Sequence, residues 1–438
     1  MFSKILIANR GEIAIRIIRS CKEMGISTVA VYSEADKDSM HVAFAEESIC
    51  IGSAAASDSY LLAERIVSAA IVSGAQAIHP GYGFLSESTK LAELCQEHKI
   101  AFIGPTSDII SKMGDKDVAR RIMSKAGVPI IPGSDILNSV SEAKKVAKKI
   151  GYPLMIKARA GGGGKGIRLV NSPDEIENAF LTASHEAGEA FGDGALYMEK
   201  RIYPAKHIEV QLLVDEYGTV VCLGERECSI QRNNQKLLEE TPSPAVDENL
   251  RERLYEATKK AAKAVNYVNA GTVEFLLDAE GNFYFMEMNV RLQVEHAISE
   301  QVTGTDIVKW QIRISSGVPL DFTQKDIKLM GHSIECRINA ATTGKVAFLH
   351  VPGGPRVRFD SALWTGYTIP PYYDSLIGKL IVYTATREEA IRKMHAALCE
   401  LVIDGIKNNI DEQIEIISDE EFQRGDYYTD FIQKRGEK

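Results

Sequence analysis

Short apolar runs and segments with helical periodicity alternate along the first hundred residues. The run "KILIAN" is followed by "EIAIRIIRSCKEMG" and "STVAVYS", and the alternation continues from "YLLAERIVSAAIVSG" to "IAFIGP". Strands separated by amphipathic helices are typical of βαβ units on a parallel sheet. We therefore predict an open α/β domain over residues 1–113. Its first turn, Asn-Arg-Gly-Glu, lacks the G-x-G-x-x-G of dinucleotide sites.

The pattern breaks at "AGVPIIPGS", where two prolines and two glycines interrupt it, and we place a connector over residues 114–131. Beyond it, Ser139 and Glu142 have capping-box spacing, Gly151 ends the helix that they begin, and two strands flank a glycine-rich loop. This segment predicts a small lid over residues 132–202. Residues 203–438 alternate as strands in "HIEVQLLVD", "TVEFLLD" and "FYFMEMNVRLQVEH", and we expect them to end in a helix over residues 387–401.

The composition is that of a soluble globular protein, with 45% hydrophobic and 25% charged residues among 438. No apolar stretch approaches the roughly 18 residues of a membrane span, and Asn9 and Arg10 come too early for the apolar core of a signal peptide. We therefore expect a cytoplasmic location. The seven cysteines form no C-x-x-C pair, which favours reduced thiols over disulfides or zinc. A net charge of −9 without a basic run argues against nucleic acid as a partner.

The stretch "PLMIKARAGGGGKGIRLV" contains four consecutive glycines, Gly161, Gly162, Gly163 and Gly164. Such a run is entropically costly unless a ligand or another backbone approaches it. A Walker loop is excluded, because Gly166 follows Lys165 and the next segment is a strand. We interpret the loop as a β-hairpin tip whose N–H groups close over phosphates, with Lys157 and Lys165 at its base. A flexible tip with solvated lysines is the alternative.

A pair of glutamates is the second candidate feature. In "TVEFLLDAEGNFYFMEMN", a hairpin that turns at residues 279–282 sets Asp278 opposite Phe283 and Glu274 opposite Glu287. Like charges directly across a sheet are destabilising, so we expect a cation between the two glutamates. Carboxylates without Cys or His nearby suit magnesium shared with substrate phosphates. The alternative is that one or both side chains point into solvent.

Continued with a period of two, the second strand of this hairpin places a polar row on one face. The row consists of Glu287, Asn289, Arg291, Gln293 and Glu295. Asn and Gln are poor strand formers, so their presence beside an arginine and an acid favours a site over an ordinary solvent-facing strand. We interpret Arg291 as the anchor of a small planar anion and Glu295 as the base that removes a proton from it.

Two further runs are candidates for the same site. The run "QRNNQK" supplies Gln231, Asn234, Gln235 and Lys236, and "IECRINA" sets a lone Arg337 in a strand-like segment. Taken alone, each run is more typical of a charged surface than of a site.

Together these segments resemble biotin carboxylase, the ATP-grasp component of biotin-dependent carboxylases such as acetyl-CoA, acyl-CoA or pyruvate carboxylase. The similarity lies, in order along almost the whole chain, in "ILIANRGEIAIRI", "IHPGYGFLSE", "GGGGKG", "QRNNQK", "EMNVRLQVEH", "ECRINA", "GYTIPPYYDSLIGKL" and "DGIKNN". It implies an α/β ATP-grasp fold with a Rossmann-like N-terminal domain, a mobile lid and a strand-rich C-terminal domain. It also implies a ligase, in which bicarbonate attacks the γ-phosphate of Mg-ATP. The carboxyphosphate formed then yields carbon dioxide to N1 of biotin, and ADP and phosphate are released.

The resemblance also implies roles for individual residues. Nucleotide contacts would come from Lys116, Lys157, Glu199, Lys200, His207, Gln231 and Asn234, with Gly161, Gly162, Gly163 and Gly164 over the phosphates. Two magnesium or manganese ions would bind Glu274 and Glu287, with Asn289 beside them. Bicarbonate would lie against Lys236, Arg291, Gln293 and the Val294 amide, with Glu295 as base. Tyr82 and Arg337 would belong to the biotin site, where Arg337 stabilises the enolate-like ureido oxygen.

Two residues and one connection depart from the family pattern. Asn234 stands where the family usually has a histidine, and Ala160 stands where it often has glycine. After "ECRINA" the family has a longer connection containing "EDP" and "PSPG", whereas here "ATTGK" leads directly to "VAFLHVPGG". The shortened connection lies next to Arg337, so it bears on biotin geometry and carrier docking.

Two other functions stay open at this point. One is another ATP-grasp ligase for a carboxylate or amine substrate, which gives no reason for Gln293, Glu295 and Arg337 to occur together. The other is a nucleotide-binding subunit without turnover, which predicts Mg-ATP binding without ADP release. The sequence contains no "AMKM"-like biotin acceptor. We therefore expect the biotin carboxyl carrier protein and the carboxyltransferase to be separate chains, and the resemblance implies a homodimer.

Overall fold

A computed structural model describes residues 1–159 and 166–436 of the chain. The N-terminal strands are β1 (Lys4–Ile7), β2 (Ser27–Ser33), β3 (Glu47–Gly52), β4 (Ala77–His79) and β5 (Ala101–Phe102). The helices of this region are α1 (Gly11–Glu23), α2 (Met40–Phe44), α3 (Ala63–Ser73), α4 (Thr89–Glu97), α5 (Ser107–Gly114) and α6 (Lys116–Lys125). The strands form one parallel sheet in the order β3-β2-β1-β4-β5. The predicted open α/β arrangement is confirmed.

The lid is a three-stranded antiparallel sheet with two helices. Its elements are α7 (Val140–Ile150), β6 (Leu154–Ala158), β7 (Ile167–Val170), α8 (Ile176–Phe191) and β8 (Leu196–Lys200). The N–H of Glu142 donates to Ser139 Oγ at 3.2 Å, and Gly151 ends α7 with a φ of +81°, as the sequence predicts. Strands β6 and β7 pair antiparallel, so the predicted hairpin is confirmed. Its tip, with Gly161, Gly162, Gly163 and Gly164, lies outside the described residues.

An eight-stranded antiparallel sheet forms the body of the rest of the chain. Its strands are β9 (Ala205–Val214), β10 (Val220–Arg232), β11 (Gln235–Thr241), β12 (Asn269–Asp278), β13 (Phe283–Asn289), β14 (His332–Asn339), β17 (Val357–Ser361) and β19 (Leu376–Thr384). Their order is β13-β12-β9-β10-β11-β14-β19-β17. Two small sheets pair β15 (Gly344–Lys345) with β18 (Thr368–Ile369), and β16 (Phe348–His350) with β20 (Val402–Asp404).

The helices of this region are α9 (Glu248–Ala264), α10 (His296–Thr303), α11 (Ile307–Ser315), α12 (Arg387–Glu400), α13 (Ile410–Ser418), α14 (Glu420–Arg424) and α15 (Phe431–Gly436). The expectation that the chain ends in the helix near residues 387–401 is wrong, since α13, α14 and α15 follow it. Those helices supply Ile416, Phe422 and Phe431 to the apolar core that also contains Met394 of α12. None of the helices among the described residues has the length and apolar character needed to cross a membrane.

The two faces of the eight-stranded sheet differ in chemistry, and this difference positions the site. Every residue of β9 is buried. Ile208, Val210 and Leu212 point to one face, where they pack in a core with residues of α9. His207, Glu209 and Gln211 alternate with them and therefore point to the opposite face. Helix α10 packs on β10 and β14. A layer of buried polar groups therefore lies between sheet and helix.

Candidate active site

A cavity of about 870 Å³ brings together residues of the N-terminal region, the lid and the large sheet. Its walls include these residues singled out from the sequence: Tyr82, Lys116, Lys157, Glu199, His207, Gln231, Asn234, Lys236, Glu274, Glu287, Asn289, Arg291, Gln293, Val294 and Arg337. Lys200 does not line the described part of the cavity. Its Nζ donates instead to the Tyr152 carbonyl at 2.8 Å. Glu295 is fully buried behind the wall, where it binds cations that do line the cavity.

Glu274 and Glu287 lie directly opposite each other on β12 and β13, as predicted. The pairing nearer the turn is not the predicted one, because Phe283 lies opposite Leu277 rather than Asp278. Asp278 is the last residue of β12, and its N–H donates across the turn to the Asn282 carbonyl at 2.9 Å. A register shift between the two pairings leaves one extra residue, Met286, on β13. This β-bulge offsets the one-residue error at the turn.

The two glutamates have opposite electrostatic environments. Oε1 of Glu274 accepts hydrogen bonds from Asn289 Nδ2 and Gln293 Nε2, both at 2.8 Å, and from Lys236 Nζ at 3.0 Å. Burial alone would raise the pKa of Glu274, but the charge of Lys236 and the contact with His207 outweigh it and hold that pKa well below its usual range. The carboxylate of Glu287 makes no hydrogen bond or ion pair with another side chain of the described residues. Burial and the neighbouring Glu274 raise its pKa.

A divalent cation fits this donor set. Two facing carboxylates and the Asn289 side chain offer the hard oxygen ligands that magnesium prefers. The raised pKa of Glu287 means that its ionised form lacks sufficient compensating charge among the described residues. A cation between the two carboxylates would supply that charge.

The polar row beyond Glu287 does not stay in a strand. Strand β13 ends at Asn289, and residues 290–295 form an irregular segment that leads into α10, so the predicted continuous strand is wrong. The Val290 N–H lies 3.4 Å from Glu87 of the N-terminal region instead of joining the sheet. The polar side chains nevertheless converge. Arg291 donates from Nη2 to Asn289 at 2.9 Å and from Nη1 to Gln293 at 3.1 Å.

Lys236 and Arg337 meet at the Glu295 carboxylate. Lys236 Nζ lies 2.8 Å from Oε1 of Glu295, and Arg337 Nη2 lies 3.0 Å from its Oε2. Burial alone would raise the pKa of Glu295, but these two cations hold it well below its usual range. The group is therefore ionised at neutral pH and able to accept a proton.

Three partners of these residues escaped the sequence analysis. Glu209 binds Lys236 at 2.6 Å and Arg226 at 2.5 Å, and Glu239 binds Arg337 at 2.5 Å. Glu87 binds Arg291 at 3.0 Å. The alternation of His, Glu and Gln within the apolar run "HIEVQLLVD" was a signal for Glu209. Glu87 and Glu239 carry no comparable signal, because their contacts lie between distant parts of the chain.

The run "QRNNQK" forms a tight hairpin between β10 and β11. Arg232 pairs with Gln235, and the two residues between them, Asn233 and Asn234, have φ values of +51° and +63°. Asparagine adopts this left-handed conformation more readily than most residues, which gives a backbone reason for asparagine at position 234. The turn places Asn234 in the cavity wall.

Comparison with known proteins agrees with this architecture. Residues 1–110 match the family model "Biotin carboxylase, N-terminal domain", residues 115–323 match "Carbamoyl-phosphate synthase L chain, ATP binding domain", and residues 335–434 match "Biotin carboxylase C-terminal domain". A biotin carboxylase of Nostoc sp. is 54% identical over 99% of both chains. Biotin carboxylase 1 of Bacillus subtilis is 53% identical over 99% of this chain and 98% of its own.

Solved structures show the same similarity. A complex of Campylobacter jejuni biotin carboxylase with a β,γ-ATP ligand superimposes with a TM-score of 0.94 at 49% identity, covering 99% of both chains. The biotin carboxylase domain dimer of Hydrogenobacter thermophilus 2-oxoglutarate carboxylase, in complex with MgADP, ADP and bicarbonate, gives a TM-score of 0.93 at 50% identity. It covers 100% of this chain and 98% of its own.

The fold and the carboxylate-lined cavity define an ATP-grasp ligase. The chain belongs to the biotin carboxylase family. Its reaction is the ATP-dependent carboxylation of biotin, which uses bicarbonate and Mg²⁺.

Proposed function

We propose that this chain carboxylates biotin on a separate carrier protein, by way of carboxyphosphate, with the cavity residues in the roles set out above. The observation that carries the proposal is the position of Glu295, whose two oxygens bind Lys236 and Arg337. One carboxylate therefore joins the cation assigned to bicarbonate and the cation assigned to biotin.

In this proposal the nucleotide lies between the lid and the large sheet. Lys157 of β6 and Glu199 of β8 form an ion pair of 2.6 Å at the lid side of the cavity, and Lys116 lines the wall at the start of α6. His207, Gln231 and Asn234 face them from the sheet side. The Lys200 side chain donates to the Tyr152 carbonyl, so a nucleotide contact from this side chain would require it to leave that carbonyl. The glycine loop would complete the site over the phosphates.

Glu274, Glu287 and Asn289 are the residues that would hold the metal ions. Bound Mg²⁺ neutralises charge on the transferring phosphoryl group and orients it. Asn289 and Gln293 donate to Glu274 and fix its orientation.

Bicarbonate would bind between Lys236 and Arg291, beside the Val294 amide. An anion there adds negative charge next to Glu295 and offsets the two cations that lower its pKa. Glu295 then becomes a stronger base toward the bicarbonate proton at the moment when that proton must leave. Holding bicarbonate in line with the γ-phosphate removes much of the entropic barrier of a bimolecular step.

At the biotin end, Arg337 is the donor to the ureido oxygen. Its guanidinium is oriented by Glu239 and Glu295, and both carboxylates are fully buried. The Tyr82 hydroxyl donates to Glu12, which holds that ring at the cavity wall. A fixed cation beside the developing oxyanion lowers the barrier without reorganisation during the reaction.

The test is a coupled assay of ADP release by the purified protein. We expect release to require bicarbonate, to rise with free biotin, and to fall at least about 100-fold in Glu295→Gln, since a positioned base contributes that order of rate. Glu280→Gln, an exposed glutamate in the β12–β13 turn, is the matched control. ADP release that needs an amine or another carboxylate instead of bicarbonate would assign a different ATP-grasp ligase. Mg-ATP binding without turnover would assign a binding subunit.

The proposed partners are a biotin carboxyl carrier protein, a carboxyltransferase and a second copy of this chain. The solved Hydrogenobacter thermophilus structure is a domain dimer. A protein of the same organism, 50% identical over 99% of this chain and 94% of its own, is named the small subunit of a 2-oxoglutarate carboxylase. These names support a chain that works in a larger assembly. Mass photometry with and without a biotinylated carrier tests both interactions.

We also propose a cytoplasmic location and the domain limits 1–113, 114–131, 132–202 and 203–438. All seven cysteines are free, which supports a reducing compartment. Cell fractionation tests the location, and limited proteolysis tests the limits.

A further inference from the structure

The peptide between Gln293 and Val294 is held from the side opposite the cavity. Its N–H belongs to Val294, which lines the cavity, and its carbonyl lies 2.8 Å from Nδ1 of His296. The peptide is not among the cis bonds of the chain. In a trans peptide the N–H and C=O groups point in opposite directions, so a donor that holds the carbonyl also fixes the direction of the amide.

The chemical form of His296 follows from this contact. A carbonyl oxygen only accepts hydrogen bonds, so Nδ1 carries a proton and donates it. The side chain is fully buried, and Nε2 has no hydrogen-bond partner among the described residues. Burial lowers the pKa of His296 well below its usual range, and the charges of Lys379, Arg16 and Arg358 lower it further. His296 is therefore a neutral imidazole with its single proton on Nδ1.

The next carbonyl is held in the same way. Lys379 is fully buried on β19, and its Nζ lies 2.7 Å from the Val294 carbonyl and 3.2 Å from Glu12. Two consecutive carbonyls of the irregular segment therefore bind side chains that do not line the cavity wall of the described chain. This explains how residues 290–295 keep a defined geometry outside any strand or helix.

We propose that His296 is a positioning residue for bicarbonate, which aims and polarises the Val294 N–H through the Gln293 carbonyl, with Lys379 supporting the adjacent peptide. The inference rests on the proposed role of the Val294 amide as an anion donor. A hydrogen bond to the carbonyl draws charge from the peptide and strengthens the N–H on its other side as a donor. His296 itself does not line the described cavity.

The test compares two amides at this position. Asparagine places its NH₂ near the position of Nδ1, whereas glutamine places it near Nε2. We expect His296→Asn to keep the KM for bicarbonate within about twofold, and His296→Gln to raise it about tenfold, the order expected for one lost hydrogen bond to an anion-binding group. The KM for ATP should stay unchanged in both. His41→Asn is the control, since His41 is equally buried and binds the Val31 carbonyl through Nε2.

Equal effects of Asn and Gln on bicarbonate KM, or a parallel rise in ATP KM, would overturn the proposal. ¹⁵N NMR of the histidine-labelled, unaltered protein gives a second test that does not depend on a folded Gln variant. It should show one Nδ1–H imidazole that does not titrate between about pH 5.5 and 8.5, where a solvated histidine would. The absence of such a signal would also overturn the proposal. If the unaltered protein shows no bicarbonate-dependent ADP release, the proposed function itself fails.

Discussion

Arg337, which lines the cavity, forms an ion pair with the buried Glu295, in which Nη2 of the arginine lies 3.0 Å from Oε2 of the glutamate. Arg337 also binds Glu239 at 2.5 Å. Burial raises the pKa of Glu239 to about 7, although Arg337 opposes this effect. The arginine is therefore held between two buried acids, and its replacement changes both charge and geometry at one end of the cavity.

Arg337→Met should lower biotin-stimulated ADP release by about 100-fold, because it removes a fixed donor to the developing oxyanion. The affinity for ATP, measured by isothermal titration, should stay within about twofold, because the nucleotide residues lie elsewhere on the wall. Arg392→Met, at an exposed position of α12, is the control and should leave both values unchanged. An equal loss of ATP affinity would contradict the assignment of Arg337 to biotin.

Glu287→Gln should weaken Mg²⁺ activation by at least about tenfold. Replacing residues that only orient metal ligands already lowers metal affinity or activity by about that factor. Without metal, the unfolding midpoint should stay level or rise, because the change relieves repulsion between Glu287 and Glu274. Activity against Mg²⁺ concentration and thermal melts in a chelator check both effects. Glu280→Gln in the adjoining turn should alter neither. A lower midpoint with unchanged Mg²⁺ dependence would indicate a purely structural carboxylate.

Lys236→Met should destabilise the fold by about 3–5 kcal/mol, because it removes the cation that three buried carboxylates share. Lys236 binds Glu209, Glu274 and Glu295 within 3.0 Å. Burial alone would lower the pKa of Lys236, but the charges of these three carboxylates outweigh it and raise that pKa well above its usual value. Urea denaturation at neutral pH measures the change. Lys112→Met, which breaks a surface pair with Asp108, should cost less than about 1 kcal/mol. Similar losses for both variants would show that the Lys236 network contributes little.

Glu240 should make stability depend on pH in the acid range. Burial alone would raise its pKa, but the hydrogen bond and charge of His332, together with Arg387, outweigh it and lower the pKa from 4.5 to about 2. A folded-state pKa below the unfolded value stabilises the fold above pH 4.5, and this contribution is lost as the pH falls toward 2. Its full size is on the order of 3 kcal/mol.

Urea midpoints of the unaltered protein and of Glu240→Gln, followed from about pH 7 to pH 3, test this prediction. The difference between the two should shrink as the pH falls below about 5. A difference that is independent of pH would mean that Glu240 titrates normally.

Local pattern was sufficient to predict the elements that hold the site. Alternation with a period of two places Glu274 and Glu287 on strands, and the hairpin between them makes them face each other. The glycine-rich segment between two apolar runs predicts the lid hairpin, and β6 and β7 pair accordingly. These predictions succeed because strand alternation and hairpin closure depend on residues close in sequence.

The tertiary structure decided where the polar row beyond Asn289 goes. The sequence favours a strand to Glu295, but β13 ends at Asn289, and the Val290 N–H lies by Glu87. Only the folded chain brings Lys236 of β11 and Arg337 of β14 to the same carboxylate. The alternation of side chains along a strand indicates which face of the sheet a residue occupies. It does not indicate which distant strand or helix covers that face. Contacts such as that of Glu87 with Arg291 and that of Glu239 with Arg337 are set by the packing of elements far apart in sequence, so they became visible only in three dimensions.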